Sequence, residues 1–140
     1  MFEFRVNDKI YKIKYGYGVL YKTDLIDRVV NATINPQENL AESMRNIIGL
    51  TAELLLAGLQ KRHADEFGYE TEEERDNMIK KVCDLIDDYE DENLDQEGNH
   101  VKDGYTLFND LQDELYHIKT AQNHDAYMAN KFKEFMLKRS

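Results

Sequence analysis

Four histidines, one cysteine and a dense run of carboxylates are the side chains of this sequence whose types could carry chemistry. The histidines are His63, His100, His117 and His124, and no two form a His-x3-His pair. A zinc site needs several nitrogen or sulfur ligands at fixed spacing, and with Cys83 as the single thiol this chain alone does not assemble one. His117 and His124 could share a helix face, but Asn123 interrupts the helix between them. All four are read as surface histidines. Cys83 has only Lys80 and Lys81 as cations within a helical turn, so it is expected as a small buried or half-buried side chain and not as a nucleophile. No nucleophile elbow and no Ser/His/Asp arrangement occurs. The expectation is a protein that is not an enzyme, with no catalytic residue, no metal and no cofactor.

Two loops invite a ligand reading and fall short of it. In Asn93–Gly104, Asn93, Asp95, Glu97 and Gly98 would take positions 1, 3, 5 and 6 of a calcium loop. His100 then falls at position 8, where an apolar residue is usual, and Gly104 at position 12, where a bidentate Glu is needed. A solvated, mobile acidic loop is expected there. Gly16-Tyr17-Gly18 looks like the start of a phosphate loop, but neither a third glycine nor a GK[ST] follows at the right distance. It reads as a strand-to-helix bend.

The elements that hold these residues follow from periodicity. Residues 2–6 and 10–15 alternate apolar and polar side chains, the period of strands. Asn7-Asp8-Lys9 joins them with residues that tolerate left-handed backbone angles, so a β-hairpin is predicted. Its apolar face carries Phe2, Phe4 and Val6 with Ile10 or Tyr11 and Ile13, and must pack on a helix. A short helix is predicted from Val19 to about Ala32, with its β-branched end leaving a strand possible. Asn35, Pro36 and Glu38 announce the central helix, Asn35 to about His63, as cap, first-turn proline and capping-box glutamate. Its stripe is Leu40, Met44, Ile47, Ile48, Thr51, Leu54, Leu55 and Leu59, and with Leu50 and Leu56 its second half is apolar almost all round. Thr71 and Glu74 form a capping box for an acidic helix striped by Met78, Ile79, Val82, Ile86 and Tyr89. A further helix starts near Gly104, with Leu107, Leu111, Leu115 and Ile118 on one face. A last one carries Met128, Phe132, Phe135 and Met136, with Lys131, Lys133, Lys138 and Arg139 opposite and at its end. The predicted fold class is α+β, mainly α: an N-terminal β-hairpin packed on a small bundle of about four to five helices. The chain reads as a single domain over 1–140, with hairpin 1–18, helical core 19–92, acidic loop 93–104 and C-terminal helices 105–140.

Bulk properties narrow the class. The chain has 140 residues and a net charge of −10. Residues 65–97 hold 15 acidic and 3 basic side chains, while the flanking parts are close to neutral. Such a surface repels phosphate backbones and anionic membranes, so nucleic acid is not an expected partner and a basic protein is. The longest apolar run, Leu54 to Ala57, is far short of the ~18 residues a membrane span needs. The opening Met-Phe-Glu-Phe-Arg lacks the pattern of a signal peptide, and a single cysteine fits a reducing cytoplasm.

The order of elements, together with Tyr11-Lys12-Ile13-Lys14-Tyr15-Gly16 leading into the first helix and Gly49-Leu50-Thr51-Ala52-Glu53-Leu54-Leu55-Leu56-Ala57-Gly58-Leu59, resembles the tail assembly chaperones of long-tailed phages and prophages of Gram-positive bacteria. The likeness covers roughly residues 1–92, and the region after Asn93 is less typical. The resemblance implies a protein of the host cytoplasm, absent from the finished virion. It would bind the tape measure protein and keep that long helical chain soluble while the tail tube protein polymerises. The tail tube protein is a further candidate partner, and self-association through hairpin edges is expected. Partner contacts are expected at Tyr105, Phe132, Phe135 and Met136. A second reading, from charge alone, is an acidic inhibitor or DNA mimic that offers Asp84, Asp87, Asp88, Glu90, Asp91 and Glu92 to a basic nucleic-acid enzyme.

Overall fold

The structure, a computed structural model, describes residues 2–34 and 40–116. Two strands, β1 (Glu3–Val6) and β2 (Lys9–Lys12), are followed by α1 (Tyr17–Lys22), α2 (Leu25–Ile34), α3 (Leu40–Gln60), α4 (Ala64–Phe67), α5 (Glu72–Glu92) and α6 (Gly104–Tyr116). The fold is α+β and mainly α, with the hairpin at the N-terminal end, as the patterning predicts. Six helices are described, four of them ten residues or longer. The predicted last helix lies outside the described residues.

The hairpin forms for the reason its turn suggests. Asn7 and Asp8 both take positive φ, 52° and 62°, which matches the right-handed twist of the flanking strands. Register runs Val6↔Lys9, Arg5↔Ile10, Phe4↔Tyr11, Glu3↔Lys12. That places Phe4, Val6, Tyr11 and Ile13 in the core and leaves Ile10 49% exposed, which settles the alternative between Ile10 and Tyr11. Phe2 packs at the edge of the core, half-buried. The second strand is shorter than the predicted 10–15. Ile13 N–H still donates to the Phe2 carbonyl at 3.0 Å, and beyond it the chain turns to α3 for its backbone partners. Lys14 N–H donates to the Gly58 carbonyl at 3.0 Å, one of the last-turn carbonyls a helix cannot satisfy itself. Tyr15 O–H donates to the Leu54 carbonyl at 2.8 Å. Lys12 N–H meanwhile donates to His63 Nε2 at 3.0 Å. The outward edge of β2 is therefore occupied within the chain, and hairpin pairing between copies would have to use the edge of β1.

One helix was expected from Val19 to Ala32; the chain makes two, separated at Thr23-Asp24, and no strand ends them. Arg28 N–H donates to the Asp24 carbonyl at 2.9 Å, which starts the second afresh and lets it bury Leu25 and Val29.

Helix α3 runs through the middle of the fold and meets β2, α2, α4, α5 and α6. Its described span starts at Leu40, since 35–39, with the proposed cap at Asn35 and Glu38, lie outside the described residues. It ends at Gln60, before the predicted His63, and His63 instead opens α4. That single turn seats Phe67 fully buried against the edge of the Tyr11 ring, at 5.6 Å between centroids, and Lys81 Nζ covers the Phe67 face at 4.5 Å. Leu50, Leu54, Leu55, Leu56 and Leu59 are all buried, so the second half of α3 is enclosed on several sides as its composition requires. Glu53 ties three helices: its carboxylate meets Arg28 of α2 at 2.5 Å and Arg75 of α5 at 2.8 Å.

Helix α5 begins as the sequence predicts, with Thr71 Oγ1 accepting the Glu74 N–H at 3.1 Å. The Glu74 carboxylate takes the N–H of Glu70, at 3.0 Å, where the capping box would have it take that of Thr71. The helix continues to Glu92 and buries Val82 and Tyr89. The last turns hold because their carboxylates have backbone partners elsewhere, described below.

Candidate functional site

The first half of α3 behaves differently from the second. Met44 is 56% and Ile48 65% exposed, although both lie on the apolar stripe that marks the core face. They form one wall of a groove of about 550 Å³ between α3, α5 and α6. Ile47, Ala52 and Ile86 line it, and Tyr105, at the start of α6, stands at its mouth with 63% of its surface exposed. The rim on the α5 and α6 side is acidic: Asp87, Glu90 and Asp103. The cleft is mainly apolar with a charged border, the character of sites that take an apolar face or a small apolar ligand.

The acidic rim is positioned by the loop after α5. The Glu90 carboxylate accepts the Gly104 N–H at 2.7 Å, and its carbonyl accepts from His100 Nδ1 at 3.0 Å. Glu90 thus joins the end of α5 to the start of α6. The loop itself, expected to be mobile, is tied by its own bonds. Leu94 bridges His100, and Val101 N–H donates to the Asn93 carbonyl at 2.8 Å. Gly98 turns the chain at φ 84°, and the Asp95 carboxylate accepts the N–H groups of Asn99 and Glu97 at 2.9 and 2.8 Å. Those bonds, that of Asn99 first, hold the Asp95 carboxyl below its usual range. Its Oδ1 thus serves the turn. Among the described residues, no three His, Cys, Asp or Glu side chains gather as a metal-binding group.

The acidic helix is also partly structural. The Asn7 N–H donates to both Glu92 carboxylate oxygens at 3.0 and 3.1 Å, and Asn7 Nδ2 donates to Asp88 at 2.9 Å. The hairpin turn therefore sits on the last two turns of α5. Of the six carboxylates offered to a basic enzyme in the mimic reading, Asp88, Glu90 and Glu92 are engaged with the chain's own backbone or turn.

Cys83 is exposed and lines the groove, where a buried or half-buried side chain was expected. The stripe that packs inward on α5 runs through Val82 and Ile86, and the next residue along a helix points about 100° away. Partial desolvation in the groove, and then the Asp87 and Asp84 carboxylates, push its thiol up, so it is a poor nucleophile at neutral pH.

Of the side chains singled out in sequence for partner contact, Tyr105 lies at the groove; Phe132, Phe135 and Met136 lie outside the described residues, as do His117 and His124. His63 is an acceptor in the hairpin joint, its ring edge-on to Tyr11 at 5.2 Å. Sequence reasoning missed Met44 and Ile48 as surface residues. No local signal separates them, because an apolar stripe facing a groove has the same period as one facing a core. Among the described residues no helix is long and apolar enough to cross a membrane. Compared with models of protein families, with curated proteins and with solved structures, the chain finds no match.

Proposed function

We propose that this chain is a tail assembly chaperone: a non-enzymatic protein of the host cytoplasm that binds the tape measure protein and keeps it soluble while the tail tube forms around it. The observation that carries the reading is the groove. It brings three of the exposed large apolar side chains, Met44, Ile48 and Tyr105, together along one apolar cleft, and its rim is acidic. An amphipathic client helix would lay its apolar face on that floor and its basic side chains beside Asp87, while the net charge of −10 keeps the complex soluble. The two segments that carry the resemblance also meet in space, through Lys14 with Gly58 and Tyr15 with Leu54.

Co-expression with the tape measure protein tests the proposal. Co-purification, and a larger soluble fraction of the client, are expected; neither occurring overturns it. The acidic-mimic reading is weaker, because Asp88, Glu90 and Glu92 already have partners in the fold. The two separate by salt. Groove contacts with a client persist at ~0.5 M salt, where charge-only binding is screened to a few ångströms and is lost.

A further inference from the structure

We infer that the groove between α3, α5 and α6 reads one short motif of its client: a two-turn helical segment with large apolar side chains at positions i, i+3 or i+4, and i+7, and a lysine or arginine on the flank that passes Asp87. The inference rests on the chaperone reading, which puts the client in the groove, and adds what the groove selects.

The length of the groove sets the number of anchors. Glu53 of α3 pairs with Arg75 of α5, while residues 44–51 of α3 line the groove opposite residues 83–90 of α5, so the two walls run antiparallel. Each wall spans seven residue steps, about 10 Å at 1.5 Å per residue. On a client helix the anchors from i to i+7 cover the same distance, and a further anchor lies beyond both walls.

The openness of the groove sets the kind of occupant. Met44, Ile48 and Tyr105 are each more than half exposed. Walls so open do not enclose a small molecule, whose sites bury most of its surface. They are covered from one side, by a continuous apolar face. Met44 is unbranched and flexible, so it fits anchors of different shape, and the motif is defined by size and spacing rather than by one residue type.

Charge sets the flank. Most polar groups of the lining are already engaged: Thr51 Oγ1 donates to the Ile47 carbonyl at 2.7 Å, the Glu90 carboxylate accepts the Gly104 N–H, and Asp103 Oδ1 accepts the Thr106 N–H at 2.9 Å. Asp87 is exposed, and among the described residues it makes no hydrogen bond or ion pair. Of the three rim carboxylates it is the one left to meet a cation of the client.

Model peptides titrated against the full chain test the motif. The probe is a capped, fluorescein-labelled alanine–glutamine peptide of about 18 residues, long enough to form helix, with three central leucines at i, i+4 and i+7 and arginines on both flanks of that stripe. Anisotropy should show binding that weakens at least ~10-fold when the middle leucine becomes glutamine. Two more leucines, at i+11 and i+14 in a peptide of the same length, should strengthen it less than ~3-fold; a gain of ~10-fold or more would place the contact on a longer surface and overturn the motif. Exchanging the arginines for glutamates should weaken binding to the wild type at least ~5-fold, and Asp87→Arg should reverse that order. The same order in both proteins overturns the charged flank. Cys83, the single native thiol, lines the groove and reports the location. Under oxidised glutathione, a peptide cysteine within the stripe should form the mixed disulfide with Cys83 at least ~10-fold faster than one on the opposite face, and equal rates overturn the placement. The dye anilinonaphthalene sulfonate, bound one per chain and not displaced by the peptide, would assign the groove to a small apolar ligand and overturn the inference. No binding by any peptide overturns the motif too. None of these measurements involves the tape measure protein, so their failure leaves the chaperone reading to the co-expression test.

Discussion

Gly58 lies directly against Ile13: a Cβ on Gly58 would stand 2.5 Å from Ile13 Cγ2, with the Tyr15 ring 3.3 Å away on the other side. Both neighbours are fully buried, so neither can give way. The contact is what lets Lys14 reach the Gly58 carbonyl and dock the hairpin on α3. Gly58→Ala is therefore expected to destabilise the protein by about 1–3 kcal/mol through overpacking, which outweighs the gain of about 1 kcal/mol in helix propensity. Gly49, in the same helix, has open space where its Cβ would be, so Gly49→Ala is expected to stabilise by about 0.5–1 kcal/mol. Urea unfolding of the two variants should move the midpoint in opposite directions.

Glu53 should make stability depend on acid. The hydrogen bond from Arg28 first, and that from Arg75 with it, hold its carboxyl below the ordinary 4.5 in the folded protein. A lowered folded-state pKa adds stability that is present above the unfolded value and is lost as pH falls through the folded one. Glu53→Gln is expected to cost about 1 kcal/mol at pH 7, modest because both arginines are partly in solvent. The gap between wild type and variant should close as unfolding is measured at successively lower pH below 4.5. A gap that is constant with pH would show that the carboxylate's charge is not what matters.

The hairpin turn offers a second stability test. Asp8 is exposed and carries φ 62°, a conformation that costs an ordinary residue about 1–2 kcal/mol and glycine little. Asp8→Gly creates the Asn-Gly pair such turns favour and should raise the melting temperature. Asn7→Ala should lower it, at a stability cost of about 1–2 kcal/mol for the backbone angle alone, and release the side-chain contact with Asp88.

Function and stability should separate at Ile48. The side chain is 65% exposed on the groove wall, so Ile48→Asp should change stability by no more than about 0.5 kcal/mol. Under the chaperone reading it should abolish co-purification with the client. Leu54→Asp, at a fully buried position of the same helix, should instead unfold the protein. Retained client capture by Ile48→Asp would place the client elsewhere than the groove.

Legibility in the sequence differed from element to element for a physical reason. The Asn7-Asp8 turn, the Thr71 cap on Glu74, the stripe of α5 and the apolar second half of α3 are set by residues a few positions apart. Backbone sterics, first-turn donors and the 3.6-residue period act at that range, so the hairpin, the long helices and the α+β class could be read directly. The ends of elements were less legible. Nothing in Ile13-Lys14-Tyr15 says that its strand stops at Lys12; the partner Lys14 takes instead, the carbonyl of Gly58, lies forty-four residues later.

What only the tertiary structure decided is which surfaces find a neighbour. Met44 and Leu54 belong to one stripe, yet one lines an open groove and the other is fully enclosed. Gly49 and Gly58 belong to one helix, yet only one is touched. Asp88 and Glu92 look like solvated charge in the sequence, and the hairpin turn settles on them. Period and propensity specify which way a side chain points along its own element. What stands opposite it depends on how distant segments meet, and that is where the groove and its acidic rim arise.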